Sequence, residues 1–554
     1  MYMSFHTRVI LPAFAVLSLA FLIGCGSSSH HTPPPSGGFT KANLSGTYVF
    51  NIVGSDNAGI YANIEFQAIT GTFSADGNGN IGSSGAVDFA NSVGDSAGTP
   101  ITGGSYTVSP DGRGQATLTT TNPVGIASNL ILDFVLSSSS GASGGLVTQF
   151  DGNGTGSGTL ALQVSSAPPA AGNYVVALTG VLGPGQLPVS YAGAIAIDAN
   201  GNVTGSLDYQ QGGNAQTCTI AAGSSVATLP APVNFTGLPC TSGNLLIDAY
   251  AVSGNDVKLI SSSPNVYPIF SGDLFSQSST SFPSGQLVFT MSGLDSTPNA
   301  SGPTAMAGLM TSDGSSTLSA GEEDFNDVGF SNDSSSGTPF NAFTGTINNS
   351  PSGSSRYLVN LSNFVNVGGG PLAWGFAAYP TDNGVVLIEV DSTGGTAVGM
   401  AFAQSSTALA SGTGYGMNLS GFNGGGFEED DIAEFTTTTS GFSGGIDMND
   451  QTAGNLLTDG NFTGNYGGLD PTATGRGLIT ATTPQSTINA AYYTVSSTQT
   501  VMVEVDQTQL GLGSLITQSG SSSSSLASNF AEQHMAVVRS AAKALKAKKE
   551  AEKK

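Results

Sequence analysis

The strongest constraint on how this chain can fold is a phrase that it writes twice. Phe376-Ala-Ala-Tyr-Pro-Thr-Asp-Asn-Gly-Val-Val-Leu-Ile-Glu-Val-Asp391, followed by Gly399 and Gln404, reappears as Ala491-Tyr-Tyr-Thr-Val-Ser-Ser-Thr-Gln-Thr-Val-Met-Val-Glu-Val-Asp506, followed by Gly513 and Gln518. Each copy reads as a strand, a polar turn, a second strand and a short third one, the local pattern of an antiparallel meander. Weaker copies run from Ile247 to Ile260, ending at Gln277, and over Leu132–Leu136, ending at Gln149.

Four related units follow from this, at 44–164, 172–278, 285–405 and 412–520. The first three open on Gly46-Thr-Tyr-Val-Phe-Asn-Ile-Val-Gly54, Gly172-Asn-Tyr-Val-Val-Ala-Leu-Thr-Gly180 and Gly285-Gln-Leu-Val-Phe-Thr-Met-Ser-Gly293, and the fourth on Gly412-Thr-Gly-Tyr415. Short apolar–polar alternations are separated by Asp-Gly and Asn-Gly turns, which supply the positive φ that tight hairpins need. With 39% hydrophobic residues in such alternation, the chain reads as half-buried strands and not as a disordered polymer. The fold class is therefore all-β. Eight strands in sequential order in the first unit, among them Asn80–Phe89 as one strand, predict a small up-and-down barrel, which also removes exposed sheet edges. A two-sheet β-sandwich fits the same spacing.

Ahead of the units, Arg8 precedes an apolar run that ends in Leu22-Ile-Gly-Cys25. A short apolar segment behind a positive residue reads as a secretion signal. A small residue before a cysteine makes residues 1–24 look like a bacterial lipoprotein signal, with Cys25 as the lipidated (palmitate-bearing) first mature residue. Ordinary secretion and an uncleaved anchor are the alternatives. Residues 25–43, rich in Ser, His, Pro and Gly, read as a tether. Gly26 after the cysteine favours the outer membrane, with the body periplasmic or surface exposed. Behind the units, residues 521–554 form a Ser linker and an Ala/Lys/Glu segment that predicts a short basic helix. That tail carries Arg539, Lys543, Lys546, Lys548, Lys549, Lys553 and Lys554 and could meet anionic lipid, acidic polymer or the body itself.

From 42 to 520 there are four cations, Arg113, Lys258, Arg356 and Arg476, against 34 carboxylates, a formal charge of about −30. Such a body repels nucleic acid, which is excluded as a partner. All four histidines, His6, His30, His31 and His534, lie outside the units, so an imidazole-based triad or zinc hydrolase has no residue to work with there. Three of the four cations occupy one position, just after a glycine-rich turn: Arg113, Arg356 and Arg476. Each is expected to pair with a carboxylate of its own domain, with an anion-binding site as the alternative. Cys218 and Cys240, in an exported unit, predict a structural disulfide; a free buried pair is the alternative.

Paired carboxylates are the remaining catalytic candidates, in Glu322-Glu-Asp324 and Glu428-Glu-Asp-Asp431. Consecutive acids of this kind are expected in solvent-facing loops. No cofactor is required by the sequence. Calcium is the one metal considered, at Asp76-Gly-Asn-Gly-Asn80 and Asp151-Gly-Asn-Gly154, although neither carries the spaced glutamate of a calcium loop. Trp374 is the single tryptophan and reads as core, with a sugar-stacking platform as the alternative.

Leu44-Ser-Gly-Thr-Tyr-Val-Phe50, Phe73-Ser-Ala-Asp-Gly-Asn-Gly-Asn-Ile81 and Gly104-Ser-Tyr-Thr-Val-Ser-Pro-Asp-Gly-Arg-Gly114 together resemble the uncharacterised Gly/Ser-rich repeat lipoproteins of acidobacteria. The likeness runs over residues 1–520 and implies a secreted repeat protein without implying an activity. The expectation is a non-catalytic, lipid-anchored envelope protein with a structural, adhesive or ligand-binding role. Its expected partners are the membrane, through the lipid, and a glycan or another envelope protein. An envelope carbohydrate-active hydrolase using two carboxylates is the alternative.

Overall fold

The computed structural model describes residues 38–518 and Val537, apart from 57–64, 122–128, 184–186, 227–232, 237–243, 263–266, 295–302, 328–329, 333–340, 365–371, 392–394, 424–426, 452–454, 468–473 and 507–508. The lipoprotein signal, Cys25, His30, His31, Cys240 and the basic residues of the tail lie outside the described residues.

The described chain is a tandem of antiparallel β-barrels. In barrel 1, Ser45–Asp56 pairs with both Glu65–Asp76 and Gly154–Leu162, which closes the sheet. Barrel 3 closes in the same way, Ser284–Leu294 pairing with Pro303–Asp313 and Thr396–Ala403. Barrel 4 is a closed set of eight strands in sequence order, sealed by Gly414–Asn423 against Gln509–Thr517. In barrel 2, eight strands wrap one core around Gly172–Leu182, which pairs with Leu187–Ile197 and Ile269–Ser276. Among the described residues, no pairing joins its edge strands Asn214–Thr219 and Val233–Thr236. The sandwich alternative is thereby set aside. One strand expectation is corrected: Asn80–Phe89 is two strands, Asn80–Ile81 and Gly85–Asn91, both paired with the long strand Gly94–Val108.

Each barrel interior is filled by side chains: Phe50, Phe73 and Phe134 in barrel 1, Tyr191 and Phe270 in barrel 2, Phe289 and Phe343 in barrel 3, and Phe435, Phe442 and Phe462 in barrel 4. Trp374 belongs to the barrel 3 core, 6.1 Å from Phe376 between ring centres. Phe39, expected within the tether, inserts into the barrel 1 core and its N–H bonds Pro110 O at 3.0 Å. The Asp76 turn uses its carboxylate internally: Oδ1 accepts the N–H of Asn78 at 2.7 Å and of Asn80 at 3.0 Å, and Oδ2 accepts Asn80 Nδ2 at 2.7 Å. Those donors, the Asn80 side chain first, pull the Asp76 carboxyl down to about 2.

The barrels contact one another in the cycle 1–2, 2–3, 3–4, 4–1, and the geometry repeats. The second strand of each barrel lies on the last three strands of the next: Glu65–Asp76 on the end of barrel 2, Leu187–Ile197 on barrel 3, Pro303–Asp313 on barrel 4, and Glu428–Thr437 on barrel 1. Such a head-to-tail contact produces a ring when the rotation closes. Apolar side chains fill the seams. One cluster runs continuously through Val175, Ala192, Ala307, Val386, Val501 and Leu512, linking barrels 2, 3 and 4. Val135, Leu146, Ile432 and Ile516 join barrel 4 to barrel 1. Val53, Phe66, Ala90, Val181 and Ile269 join barrel 1 to barrel 2, together with Val537, the one described residue of the C-terminal segment. Strands at the seams are thus buried on both faces, where alternation had suggested half-burial.

Barrel 4 cut out as residues 412–518 would expose Ala491, Tyr493, Val501, Val503, Leu510 and Leu512 to water. The isolated barrel is expected to self-associate and to bind a hydrophobic dye, measured by sedimentation and dye fluorescence. A monomeric, dye-silent barrel 4 would show that the seams contribute little to its folding.

Candidate functional site at the barrel seams

Ladder register places four aspartates at one equivalent position. Asn51–Thr70–Asp88, Ala177–Ala192–Asp208, Thr290–Ala307–Asp324 and Asn418–Ile432–Asp447 are the same step across the first three long strands of each barrel. All four are buried, with their residues 8% exposed or less. On the other side of barrels 1, 3 and 4, facing the preceding barrel of the ring, lie the arginines: Arg113 opposite Val135, Arg476 opposite Tyr493, and Arg356 at the entry to Tyr357–Phe364.

The two rows meet across the seams. Arg476 of barrel 4 grips Asp324 of barrel 3 with two bonds of 2.7 Å, from Nε and Nη2, and the Tyr493 hydroxyl donates to the same carboxylate at 2.6 Å. Arg356 of barrel 3 meets Asp208 of barrel 2 through Nε at 2.6 Å, where Tyr379 donates at 2.6 Å. Arg113 of barrel 1 meets Asp447 and Asp459 of barrel 4 at 3.1 and 2.9 Å, and its own Asp111 at 3.1 Å. The expectation of a partner within the same domain holds in part for Arg113, through Asp111, and is corrected for Arg356 and Arg476. These side chains leave the outer face of their barrel, and that face is covered by the neighbour, so a carboxylate of the neighbour is what they reach. Burial first, and then the Asp324 carboxylate, holds the Tyr493 hydroxyl well above its usual range and keeps it a donor.

Side-chain amides repeat the same logic. The glutamine that ends each barrel donates Nε2 to a backbone carbonyl of the next: Gln163 to Ala251 O at 2.7 Å, Gln277 to Pro380 O at 2.6 Å, Gln404 to Thr494 O at 2.7 Å and Gln518 to Asp111 O at 2.7 Å. The closing residue of the first unit is Gln163; Gln149 instead accepts from Gln67 at 2.6 Å. Two residues beyond the row aspartate, a second amide crosses three seams, from Gln210 to Gly395 O, from Asn326 to Glu504 O and from Asn449 to Gln149 O, at 2.8 to 2.9 Å. Sequence reasoning passed over Asp88, Asp208 and Asp447 and read Asp324 only as part of an acidic cluster. Asp208-Tyr-Gln210, Asp324-Phe-Asn326 and Asp447-Met-Asn449 are the signal that could have found them.

The acidic clusters are not solvent-facing loops. Glu322, Glu323 and Asp324 lie in the strand Thr317–Asp327, and Glu428 to Asp431 in Glu428–Thr437, all buried. Glu322 accepts the Thr474 hydroxyl at 2.8 Å, and Asp430 accepts the hydroxyls of Thr155 and Ser157, each at 2.8 Å, across the seam between barrels 4 and 1. Among the described residues, no group of three or more His, Cys, Asp or Glu is placed to hold a metal ion. Cys218 is buried and disulfide-bonded; Cys240 lies outside the described residues.

The seam between barrels 1 and 2 departs from the other three. Its row aspartate, Asp88, faces Tyr250, the counterpart of Tyr379 and Tyr493, and also Asp248. Unit two carries no arginine. Its one cation, Lys258, turns to Asp273 at 2.7 Å and Asp256 at 3.1 Å within its own barrel. Ala90 stands where the second crossing amide would be. In place of those groups there is a cavity of about 530 Å³, lined by Asp88, Asp248, Tyr250, Gly98, Ala97 and Gln163 among others. The Gly98 N–H donates to Asp88 Oδ1, while Asp88 Oδ2 and Asp248 Oδ1 receive no hydrogen bond from the described residues. Desolvation, reinforced by the Asp248 carboxyl, pushes Asp88 up to about 8.

No family model and no curated protein matches this sequence. Two crystal structures of mutants of the vaccine antigen Transferrin Binding Protein B from Haemophilus parasuis Hp5 align over 70% and 71% of this chain and 86% of each of theirs, at 10% and 8% identity, with TM-scores of 0.17 and 0.15. At those TM-scores the alignments establish neither a shared fold nor a shared function.

Two outcomes follow from the seams. Arg476→Met strands a buried Asp324 and is expected to cost about 3–5 kcal/mol in denaturant unfolding of the full chain, with partial recovery when Asp324→Leu is added; an unchanged midpoint would contradict the pairing. Asp88 carries the opposite sign of linkage to an ordinary ion-paired acid. Its folded pKa lies above its unfolded one, so its contribution is greatest below about pH 4 and is lost as pH rises towards about 8. Asp88→Asn should therefore leave the melting temperature near pH 4 little changed and raise it at pH 8, read from melting curves across that range.

Proposed function

We propose that this chain is a non-catalytic, lipid-anchored protein of the cell envelope that binds a small ligand at the seam between its first and second barrels. The observation that carries this reading is the cavity at that seam, whose roughly 530 Å³ falls in the range of small-molecule sites. It brings together buried polar groups on two barrels that the rest of the ring holds in place. Such a framework suits binding, because a preorganised pocket loses little entropy when it is filled.

The envelope part of the reading rests on Leu22-Ile-Gly-Cys25, the Pro/Gly/Ser/His stretch behind it, and the resemblance to repeat lipoproteins of acidobacteria. A lipidated Cys25 would hold the body at the outer membrane on a short tether, within reach of a glycan or another envelope protein. The hydrolase alternative gains no support from its proposed carboxylates. Asp324 is committed to Arg476, and Asp430 to Thr155 and Ser157.

Fractionation of cells making wild type and Cys25→Ala should move the protein from the membrane to the soluble fraction, and retention of Cys25→Ala in the membrane would overturn the anchor. Ala97→Trp places an indole at an exposed position on the cavity wall. Envelope metabolites that raise the melting temperature of the wild type should fail on Ala97→Trp; equal shifts in both would move binding away from the seam.

A further inference from the structure

The four seams of the ring are copies of one contact, and three of them are completed by a guanidinium from the chain itself. Asp208, Asp324 and Asp447 each receive an arginine of the next barrel, and at Asp208 and Asp324 a tyrosine hydroxyl completes the arrangement. At the fourth copy the acid is present as Asp88 and the tyrosine as Tyr250, but unit two contains no arginine. A second carboxyl, Asp248, is added to the same place. The seam therefore holds two carboxyls and, among the described residues, no cation that answers them.

We propose that the cavity between barrels 1 and 2 binds a guanidinium or alkylammonium group, held by Asp88 and Asp248 in the position that Arg356 and Arg476 occupy at the other seams. This rests on the reading of that seam as a ligand site and gives the ligand its chemistry. Three observations support it independently of the acidic pair. Asp88 is only 1% exposed, and its Oδ2 receives no hydrogen bond from the described residues while lining a cavity large enough for a ligand. The Gly98 N–H holds the other oxygen, so the carboxylate is oriented before any ligand arrives. The equivalent carboxylates at two seams take a planar cation, through two bonds of 2.7 Å at Asp324 and through 2.6 and 3.3 Å at Asp208. A buried carboxylate pair of this kind is stabilised by a cation that brings its own N–H donors. A calcium ion is a poorer match, since it needs six to eight oxygens and the described residues supply no cluster of three acids.

The cation has two sources, a free ligand or a basic side chain of this chain's tail. The tail carries seven cations between Arg539 and Lys554, and Val537 packs in the apolar cluster of this same seam, against which Tyr250 also rests. The shared chemistry is the cationic nitrogen.

The test uses the full chain with butylguanidine and its neutral isostere butylurea, followed by calorimetry at pH 8. Butylguanidine should bind at one site, at least about tenfold more tightly than butylurea, the size of one lost charge-assisted hydrogen bond. Asp88→Asn and Asp248→Asn should each weaken it by a similar factor, while Asp198→Asn, which removes an exposed charge from a turn of barrel 2, should not. Arg539→Gln combined with Lys543→Gln separates the sources: unchanged affinity indicates a seam open to free ligand, and tightened affinity indicates that the tail competes for it. Both results support the cationic site. Equal binding of butylurea and butylguanidine, abolished by Ala97→Trp, would overturn the cation while leaving a ligand pocket. Binding of neither probe to wild type or to the tail variant would overturn both.

Discussion

The ring depends on a small number of charges buried between barrels. Each of three seams takes an arginine and an aspartate out of water, a step that is unfavourable for either group alone and tolerable only when the partner is in register. Arg476, Asp324 and Tyr493 show how that register is met. The guanidinium spans both carboxylate oxygens and the tyrosine hydroxyl fills a remaining lone pair. Apolar contact through Val175, Ala307 and Val501 supplies area but little directionality, whereas these trios allow only one alignment of neighbouring barrels.

The composition of the body then has a physical reading. A chain with four cations and 34 carboxylates between 42 and 520 has few positive groups to place, and it places three of them at seams. The amides follow the same plan, since Gln163, Gln277, Gln404 and Gln518 each satisfy a backbone carbonyl of the next barrel. Those carbonyls belong to strand ends, and at Asp111 to a turn, that the neighbour covers, where an unpaired polar atom is costly. The seam between barrels 1 and 2 keeps its glutamine and loses the arginine and the second amide. Apolar contacts, including Val537, and a cavity take their place, so the seam that is least locked is also the one that can admit another molecule.

Much of the fold was legible because strand pairing within a barrel is local in sequence. The repeated phrase, the Asp-Gly turns and the sequential strands lead to a meander, and a meander of about eight strands closes on itself. The site was legible only in fragments. Arg113, Arg356 and Arg476 stood out as equivalent, yet their partners across the seams lie 148 to 346 residues away in the chain, and the Asp-x-Gln/Asn step at Asp208 and Asp324 does not say which arginine each will meet. The runs Glu322–Asp324 and Glu428–Asp431 looked like solvated loops for the same reason. A strand carrying consecutive acids is stable only if both of its faces are satisfied, and the second face belongs to another barrel.

The sequence alone determined the all-β character, the four units, the acidity of the body and the absence of imidazole chemistry from it, since each depends on residue type and near-neighbour spacing. The tertiary structure decided which face of each barrel is covered, which carboxylate each arginine meets, and that among the described residues one of four equivalent seams has no cation. Those outcomes depend on rotating whole barrels against one another until they form a ring, and that closure is set by long-range complementarity that no local pattern encodes.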